Sequence, residues 1–191
     1  MIAVGRMVRQ KGFDTLLEAW ALRRTDHGRV DRDVDHEERL VLVGDGPRQP
    51  ELRRLCRRLG LESSVRFAGR VPRDQIPGLL QQADVFALPV RTRLAGLNPE
   101  GLGLGFLEAA ATGLPVIVGR SGGAPETVIA DKTGYLVEPG DPRAVADRIG
   151  QLLADPVRAA AMGAAGRNYV AERYGSGSVR ATLRRSLGLD A

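Results

Sequence analysis

The sequence predicts an α/β fold in which helices cover a doubly wound parallel sheet. Short apolar segments, typical of buried strands, alternate with longer amphipathic segments, typical of helices. This alternation occurs six times in 191 residues, which indicates successive β–α–β units. Aromatic residues make up only 4% of the chain, so we expect aliphatic side chains and alanine to fill the core.

The individual elements follow from these patterns. The predicted strands are IAV at 2–4, LVLV at 40–43, VRF at 65–67, VFAL at 85–88, VIV at 116–118 and YLV at 135–137. The clearest helix runs from Phe13 to Leu22, because its apolar residues recur at the spacing of one helical face: Phe13, Leu16, Leu17 and Trp20.

Charged residues without periodicity occupy positions 25–39, and we expect a solvated loop there. Both histidines of the chain, His27 and His36, lie in this segment. We expect neither of them to act in catalysis or to bind a metal.

The last fifty residues are predicted to be helical. Segments 144–153 and 157–173 predict two helices, and a third follows from apolar residues at four-residue spacing: Val179, Leu183 and Leu187. We divide the chain into a globular domain over residues 1–175 and a C-terminal helix over residues 176–191. The first strand follows Met1 without any lead-in segment, so we expect a preceding lobe on which this helix can dock.

Composition limits the classes of partner. The net charge is +5, but the 28 basic residues are scattered and almost all arginine, so we expect no nucleic-acid partner. The single cysteine, Cys56, excludes an internal disulfide framework and a cysteine metal site. We find no signal peptide and no apolar run long enough to span a bilayer, which predicts a cytoplasmic domain.

The loop after the first strand, GRMVRQKG at 5–12, carries two cations. In open α/β sheets, ligands bind beyond the carboxyl ends of the strands. Arg6 and Lys11 at that place suit a diphosphate, since arginine grips phosphate oxygens in pairs and lysine acts as a point charge. The loop contains no dinucleotide-binding or Walker motif, and taken alone it is more typical of a solvated basic loop than of a diphosphate site.

Two further loops leave the same edge of the predicted sheet. VGDGP at 43–47 is typical of an ordinary strand-to-helix turn. GRVPRDQIPGLL at 69–80 puts Arg70 and Val71 after the third strand, where backbone groups could recognise the edge of a nucleobase, although the spacing alone does not decide this.

The segment NPEGLGLGFLEAAATGLPVIV at 98–118 is the strongest signal. Gly101, Gly103 and Gly105 precede a helix predicted to begin near Leu104, where free backbone N–H groups form an anion site. Glu100 and Glu108 flank the glycines, eight positions apart, and carboxylates suit the hydroxyl pairs of sugars. A bulged turn with a surface ion pair explains these residues equally well. The next loop, GRSGGAPETV at 119–128, is expected to be a tight turn into a helix.

In combination, these segments resemble the C-terminal, donor-binding lobe of retaining glycosyltransferases of family GT4, which have the GT-B fold. The matching segments cover residues 1 to about 175 in family order: GRMVRQKG, LVLVGDGP, VRFAGRVP, ADVFALP, the two glutamates at 100 and 108, GLPVIV, SGGAPETV and TGYLVEPGD. The segment from 91 to 128 is similar to actinobacterial phosphatidylinositol mannoside mannosyltransferases that use GDP-mannose. The resemblance implies a Rossmann-like donor lobe.

The resemblance also implies roles for single residues. Arg6 and Lys11 match the pair that binds the diphosphate and stabilises the leaving group. Glu100 matches the glutamate beside the donor hexose, and Glu108 matches the ribose ligand. Backbone contacts complete the implied site: Gly101, Leu102 and Gly103 to the hexose, Gly105, Phe106 and Leu107 to phosphate, and Arg70 and Val71 to the base.

For the reaction, the resemblance implies transfer of a hexose with retention, catalysed by Arg6, Lys11 and Glu100 without a metal or other cofactor. It implies GDP-mannose as donor and a lipid-linked or glycan acceptor, with a UDP-sugar donor or a detached nucleotide-binding module as alternatives. The acceptor site belongs to an N-terminal lobe outside this sequence, so the isolated domain should be inactive. With a lipid acceptor, the whole enzyme would work at the inner face of the membrane.

Overall fold

The computed structural model describes residues 1–27, 38–93 and 97–187, and within them a six-stranded parallel sheet forms the centre of the fold. The strands lie in the order β3-β2-β1-β4-β5-β6. Their bounds are β1 Ile2–Val4, β2 Leu40–Val43, β3 Val65–Gly69, β4 Phe86–Leu88, β5 Val116–Gly119 and β6 Gly134–Val137. All paired strands are parallel, as predicted for a doubly wound sheet.

Helices connect the strands and continue beyond them. Their bounds are α1 Phe13–His27, α2 Gln49–Arg58, α3 Ile76–Leu80, α4 Leu104–Ala111, α5 Pro142–Ala154, α6 Pro156–Tyr174 and α7 Ser176–Ser186. Helix α1 packs on α2 and α5, whereas α4 packs on α3 and α6. The chain winds from β1 outward to β3 and then, on the other side of β1, from β4 outward to β6. Because crossovers are right-handed in both halves, these two groups of helices cover opposite faces of the sheet.

The core confirms the predicted face of α1. Phe13, Leu16, Leu17 and Trp20 are all buried, and the Trp20 indole donates a hydrogen bond to Ser64 Oγ at 3.2 Å. Aliphatic residues and alanine make up most of the rest of the core, as the composition predicts.

The solvated loop predicted for residues 25–39 is wrong at its start. Helix α1 continues to His27, because the packing of its first turns against the sheet supports a polar last turn that has no apolar period of its own. His36 lies outside the described residues.

The break predicted at residue 175 coincides with the junction between α6 and α7. Gly175 is extended there, with φ −62° and ψ 149°, so the chain changes direction between the two helices. Helix α7 packs on α6 and carries apolar residues that are more than half exposed: Val179, Leu183 and Leu187. Docking of this helix on another lobe stays a prediction.

The strand order creates a crevice at one edge of the sheet. Strand β1 lies between β2 and β4, and the chain leaves β1 and β4 toward opposite faces. The loops after these two strands therefore separate at the carboxyl edge of the sheet, where α/β folds bind their ligands. Arg6 and Lys11 lie in the first loop, and the glycine-rich segment follows the second.

Candidate functional site

The loop after β1 folds back tightly beside β4. A short 3-10 helix, Arg9–Lys11, ends at Gly12, whose φ is +68°. A Cβ atom at Gly12 would overlap the carbonyl oxygen of Pro89, so the close approach of the two loops requires glycine. This packing fixes the position of Lys11 at the crevice.

Helix α4 begins at the predicted place. Gly103 precedes the helix with φ +80° and ψ 58°, and a Cβ there would lie 2.6 Å from the Phe106 ring. The N–H groups of Gly103, Leu104 and Gly105 donate to no other residue within the described ranges. These free donors and the helix dipole form a site for an anion.

Phe106 and Leu107 secure this helix through their side chains. Both side chains are buried, and the Phe106 ring meets Phe86 edge to face at 5.6 Å. The Phe106 N–H donates to the Gly103 carbonyl at 2.9 Å. Phosphate binding by the backbone around Gly105 to Leu107 stays a prediction. Within that segment, the Phe106 N–H already donates to the Gly103 carbonyl.

Lys11 and Glu100 form an ion pair across the crevice. Lys11 Nζ lies 2.9 Å from Oε1 and 2.8 Å from Oε2 of Glu100. The side chains are 24% and 12% exposed, so the pair is largely shielded from solvent. The resemblance assigns Lys11 to the diphosphate and Glu100 to the hexose of the same ligand. The structure brings these two side chains into direct contact.

Arg6 differs from Lys11 in its surroundings. Its side chain is exposed, and the part of the chain that the structure describes offers its guanidinium no hydrogen bond or ion pair. Of the two predicted cations, Lys11 is therefore already paired, whereas Arg6 remains available to a ligand.

The remaining predicted residues lie around the rim. Glu108 is in the second turn of α4, 42% exposed, and Arg73 Nη2 approaches its Oε1 at 3.4 Å. Arg73 itself is 87% exposed, so this contact holds Glu108 weakly. Arg70 is exposed just beyond β3, and Val71 packs partly against the core.

The loop after β5 supports the glycine-rich segment through hydrogen bonds. Ser121 is buried, its Oγ accepts a hydrogen bond from the Glu100 N–H at 3.1 Å, and it lies 2.9 Å from Thr92 Oγ1. The Gly123 N–H donates to the carbonyls of Glu100 and Gly101, at 3.1 and 3.0 Å. Sequence reasoning took this loop for a plain turn and missed its role as a support.

Asp14 connects three loops at the carboxyl edge of the sheet. Its carboxylate accepts hydrogen bonds from Arg91, and from Arg48 at 2.9 Å. Burial of the carboxyl group favours a higher pKa, but the hydrogen bonds from Arg91 and Arg48 outweigh it and lower the pKa of Asp14 below its ordinary value. In the sequence this residue resembles any acidic residue in a first helical turn.

Together these groups describe the chemistry that the crevice offers. Two cations and the free N–H groups of α4 can neutralise a diphosphate. Two carboxylates, one inside the crevice and one at its rim, can accept hydrogen bonds from hydroxyl groups. Within the described ranges no three histidine, cysteine, aspartate or glutamate side chains are grouped to hold a metal ion, and every helix there is too short or too polar to span a bilayer.

The model of the family described as "Glycosyl transferases group 1" matches residues 1–169. This chain belongs to that family. Among its relatives, the GDP-mannose-dependent alpha-(1-6)-phosphatidylinositol monomannoside mannosyltransferase of Mycolicibacterium smegmatis is 45% identical over 91% of this chain. The match covers 44% of that relative, so this group 1 chain spans less than half of its length.

Solved structures agree with the predicted GT-B fold. Anabaena Alr3699/HepE in complex with UDP aligns with a TM-score of 0.81 at 26% identity, over 98% of this chain and 48% of that one. The C-terminal domain of a group 1 family protein from Francisella tularensis, at 24% identity, aligns with a TM-score of 0.74 over 92% of this chain and 86% of that one. The fold is therefore the Rossmann-like lobe of a GT-B glycosyltransferase.

Proposed function

We propose that this chain is the donor-binding domain of a retaining mannosyltransferase that uses GDP-mannose. In the full-length enzyme, an N-terminal lobe would supply the acceptor site, and mannose would pass to a lipid-linked or glycan acceptor. The relative from Mycolicibacterium smegmatis is named for this donor and for a phosphatidylinositol acceptor, which supports both choices.

The convergence of charges in one crevice carries this proposal. Arg6, Lys11 and the N-terminus of α4 supply positive charge, whereas Glu100 inside the crevice and Glu108 at its rim supply hydroxyl acceptors. A ligand that satisfies all five groups has a central anion between two sugars. A nucleoside diphosphate linked to a hexose has that chemistry.

Each predicted residue then has a role along the ligand. Arg70 and Val71 would meet the base, and Glu108 would accept hydrogen bonds from the ribose. Arg6, Lys11 and the backbone of Gly105, Phe106 and Leu107 would bind the diphosphate. Glu100 and the backbone of Gly101, Leu102 and Gly103 would meet the hexose.

The same groups support catalysis at the bond between hexose and phosphate. Negative charge grows on the diphosphate as that bond breaks, and preorganised cations and N–H dipoles stabilise it. Arg6, Lys11 and the N-terminus of α4 would do this without a metal or other cofactor. Glu100 would orient the hexose so that the acceptor attacks the face that the diphosphate leaves.

A UDP-sugar is the second candidate donor. The Anabaena structure, at 26% identity, is described as a complex with UDP. A donor of this kind would keep the diphosphate and hexose contacts and change only those at Arg70 and Val71. A detached nucleotide-binding module without turnover would also keep them.

The location of the full-length enzyme follows from its acceptor. With a phosphatidylinositol-type acceptor we propose action at the cytoplasmic face of the membrane. The net charge of +5 would then favour contact with anionic lipid. We propose no nucleic-acid partner, because we assign Arg6 and Lys11 to the diphosphate of a ligand in the crevice.

Calorimetric titration of the chain with GDP, UDP, ADP and GDP-mannose tests the proposal. Each titration is repeated at two salt concentrations and with either Mg²⁺ or a chelator. We expect saturable binding that prefers guanine, is tighter for GDP-mannose than for ADP, and does not change with Mg²⁺. Binding to anions in general would instead fall steeply with salt and ignore the base.

The other outcomes each contradict one part of the proposal. A preference for UDP would overturn the mannose assignment and leave the donor domain intact. Binding only in the presence of Mg²⁺ would overturn the metal-free diphosphate site. Absence of binding to all four nucleotides would contradict a donor function of this chain by itself.

A further inference from the structure

We propose that Glu100 holds Lys11 in the ligand-free protein and exchanges it for hexose hydroxyls when a nucleotide sugar binds. The site would then discriminate between the intact donor and the free nucleoside diphosphate. This inference rests on the proposed donor function and adds a specificity-determining role for one carboxylate.

The geometry of the pair supports this exchange. Lys11 Nζ donates to both oxygens of Glu100, at 2.9 and 2.8 Å, and neither side chain has another hydrogen-bond or ion-pair partner within the described ranges. A diphosphate in the crevice needs the same ammonium that Glu100 holds. The first cation available to it is Arg6, which is exposed and has no partner in that part of the chain.

The exchange is unfavourable for Glu100 unless another donor replaces Lys11. Its side chain is 12% exposed, so its carboxylate has little access to water once Lys11 turns away. A buried carboxylate without a donor is unfavourable, and hydroxyl groups are donors that restore its hydrogen bonds. A nucleotide sugar brings such hydroxyls to that position, whereas a free nucleoside diphosphate leaves the position empty of donors.

Opposite effects on two ligands follow from this difference. For GDP, the carboxylate of Glu100 is only a competitor for Lys11. For GDP-mannose, it is both a competitor and a partner of the sugar. The Lys11–Glu100 ion pair therefore lowers the affinity for the free nucleoside diphosphate, which is also the product that remains after hexose transfer.

The first experiment measures the pair without any ligand. The chain has two lysines, Lys11 and Lys132, and Lys132 is exposed. Their rates of modification by an amine reagent are read from separate peptides by mass spectrometry. We expect Lys11 to react more slowly than Lys132, and Glu100→Gln to accelerate Lys11 by about threefold while Lys132 stays unchanged. Equal rates before and after the substitution would overturn the pairing.

The second experiment compares the two ligands by calorimetry. Glu100→Gln keeps the shape of the side chain and removes its charge, and Glu18→Gln on the exposed face of α1 is the matched control. We expect GDP to bind the Glu100→Gln variant about threefold more tightly and GDP-mannose about three- to tenfold more weakly. Weaker or unchanged GDP binding by a folded variant would overturn the proposal.

A double variant separates the exchange from simple loss of negative charge. If the gain in GDP affinity comes from freeing Lys11, it disappears when Glu100→Gln is combined with Lys11→Met. A gain that persists in the Lys11→Met background comes from removal of repulsion alone and overturns the exchange.

Failure of the proposed function gives a different result from failure of this inference. Binding of UDP in place of GDP, with the same tightening in Glu100→Gln, would overturn the guanine assignment and support the exchange. If no nucleotide binds, inorganic pyrophosphate is the probe. It should protect Lys11 from modification more strongly in Glu100→Gln than in the unsubstituted chain, with Lys132 unchanged, and equal protection of Lys11 in both would overturn the exchange as well.

Discussion

Nη2 of Arg91 lies 2.7 and 2.6 Å from the two carboxylate oxygens of Asp14, and Nε of the same arginine donates to the Arg9 carbonyl at 2.8 Å. The start of α1, the loop after β4 and the short helix that carries Lys11 are thereby joined. None of these contacts involves a proposed ligand group. These contacts therefore affect ligand binding only through the position that they give to Lys11.

We expect Asp14→Asn to lower both stability and affinity. The substitution leaves Arg91 and Arg48 with a neutral partner in place of a carboxylate, at a cost of about 1–3 kcal/mol in the free energy of unfolding. GDP affinity should fall because the turn that carries Lys11 loosens. Urea unfolding and calorimetry measure the two effects, with the exposed Asp74→Asn as control. Unchanged stability would show that the two arginines do not depend on the charge of Asp14.

The same carboxylate predicts a dependence of stability on pH. Although burial favours a higher value, the hydrogen bonds from Arg91 and Arg48 hold the pKa of Asp14 below 3.8, so the unfolded state binds its proton more readily. The contribution of Asp14 is fully present above pH 4 and is lost as the pH falls through its lower folded-state pKa. The difference in unfolding free energy between the unsubstituted chain and Asp14→Asn should therefore shrink below pH 4. A constant difference down to pH 2 would contradict this.

Gly122→Ala should damage the support behind the glycine-rich segment. Gly122 has φ +52°, and a Cβ there would overlap the Glu100 carbonyl oxygen. Gly60, with φ +66° and open space around it, is the matched control, because alanine there meets only backbone strain of about 1–2 kcal/mol. We expect Gly122→Ala to destabilise the chain more than Gly60→Ala and to weaken GDP-mannose binding. Equal losses of stability would mean that the overlap relaxes freely.

Glu108→Ala should weaken nucleotide binding by about ten- to a hundredfold, because charge-assisted hydrogen bonds worth about 1.5–3 kcal/mol are lost. The loss should be confined to ligands with ribose hydroxyls, so the affinity for 2′,3′-dideoxy-GDP should not change. Arg73→Ala is the control for the ion pair at the rim and should have little effect on folding. Equal losses for GDP and its dideoxy analogue would exclude Glu108 as the ribose ligand.

Substitutions on α7 test the division at residue 175. Leu183 is 58% exposed, so Leu183→Asp should change the stability of this chain by no more than about 0.5 kcal/mol. In a full-length protein with the proposed N-terminal lobe, the same change should lower the melting temperature. Leu152→Asp, at a buried position of α5, is the control that should unfold both proteins. A large loss from Leu183→Asp in this chain would contradict a docking role.

Local patterns were sufficient to predict most of the fold. Each of the six strands formed where a short apolar segment lies, and Trp20 faces the core because residues at helical spacing share one side. The end of α1 was mispredicted because packing extends a helix beyond its apolar pattern. The start of α4 at Leu104 followed from the glycines before it.

The contacts within the site were harder to predict than its residues. Glu100 and Lys11 are 89 positions apart, and the sequence assigned each of them to a ligand without showing that they meet. Ser121 and Asp14 carry no local signal, since a serine in a turn and an acid in a first helical turn are common. Contacts between distant loops depend on the crossover geometry, which periodicity does not encode.

The central place of β1 has a consequence for synthesis on the ribosome. The cationic loop of residues 5–12 is translated before β4, the glycine-rich segment and the supporting Gly123. Until Glu100 is translated, 89 positions after Lys11, this lysine has no native counterion, and until β4 is translated β1 lacks one of its two neighbours. The earliest translated part of the crevice is therefore the last to reach its native environment, and nucleotide affinity should arise late in a nascent chain.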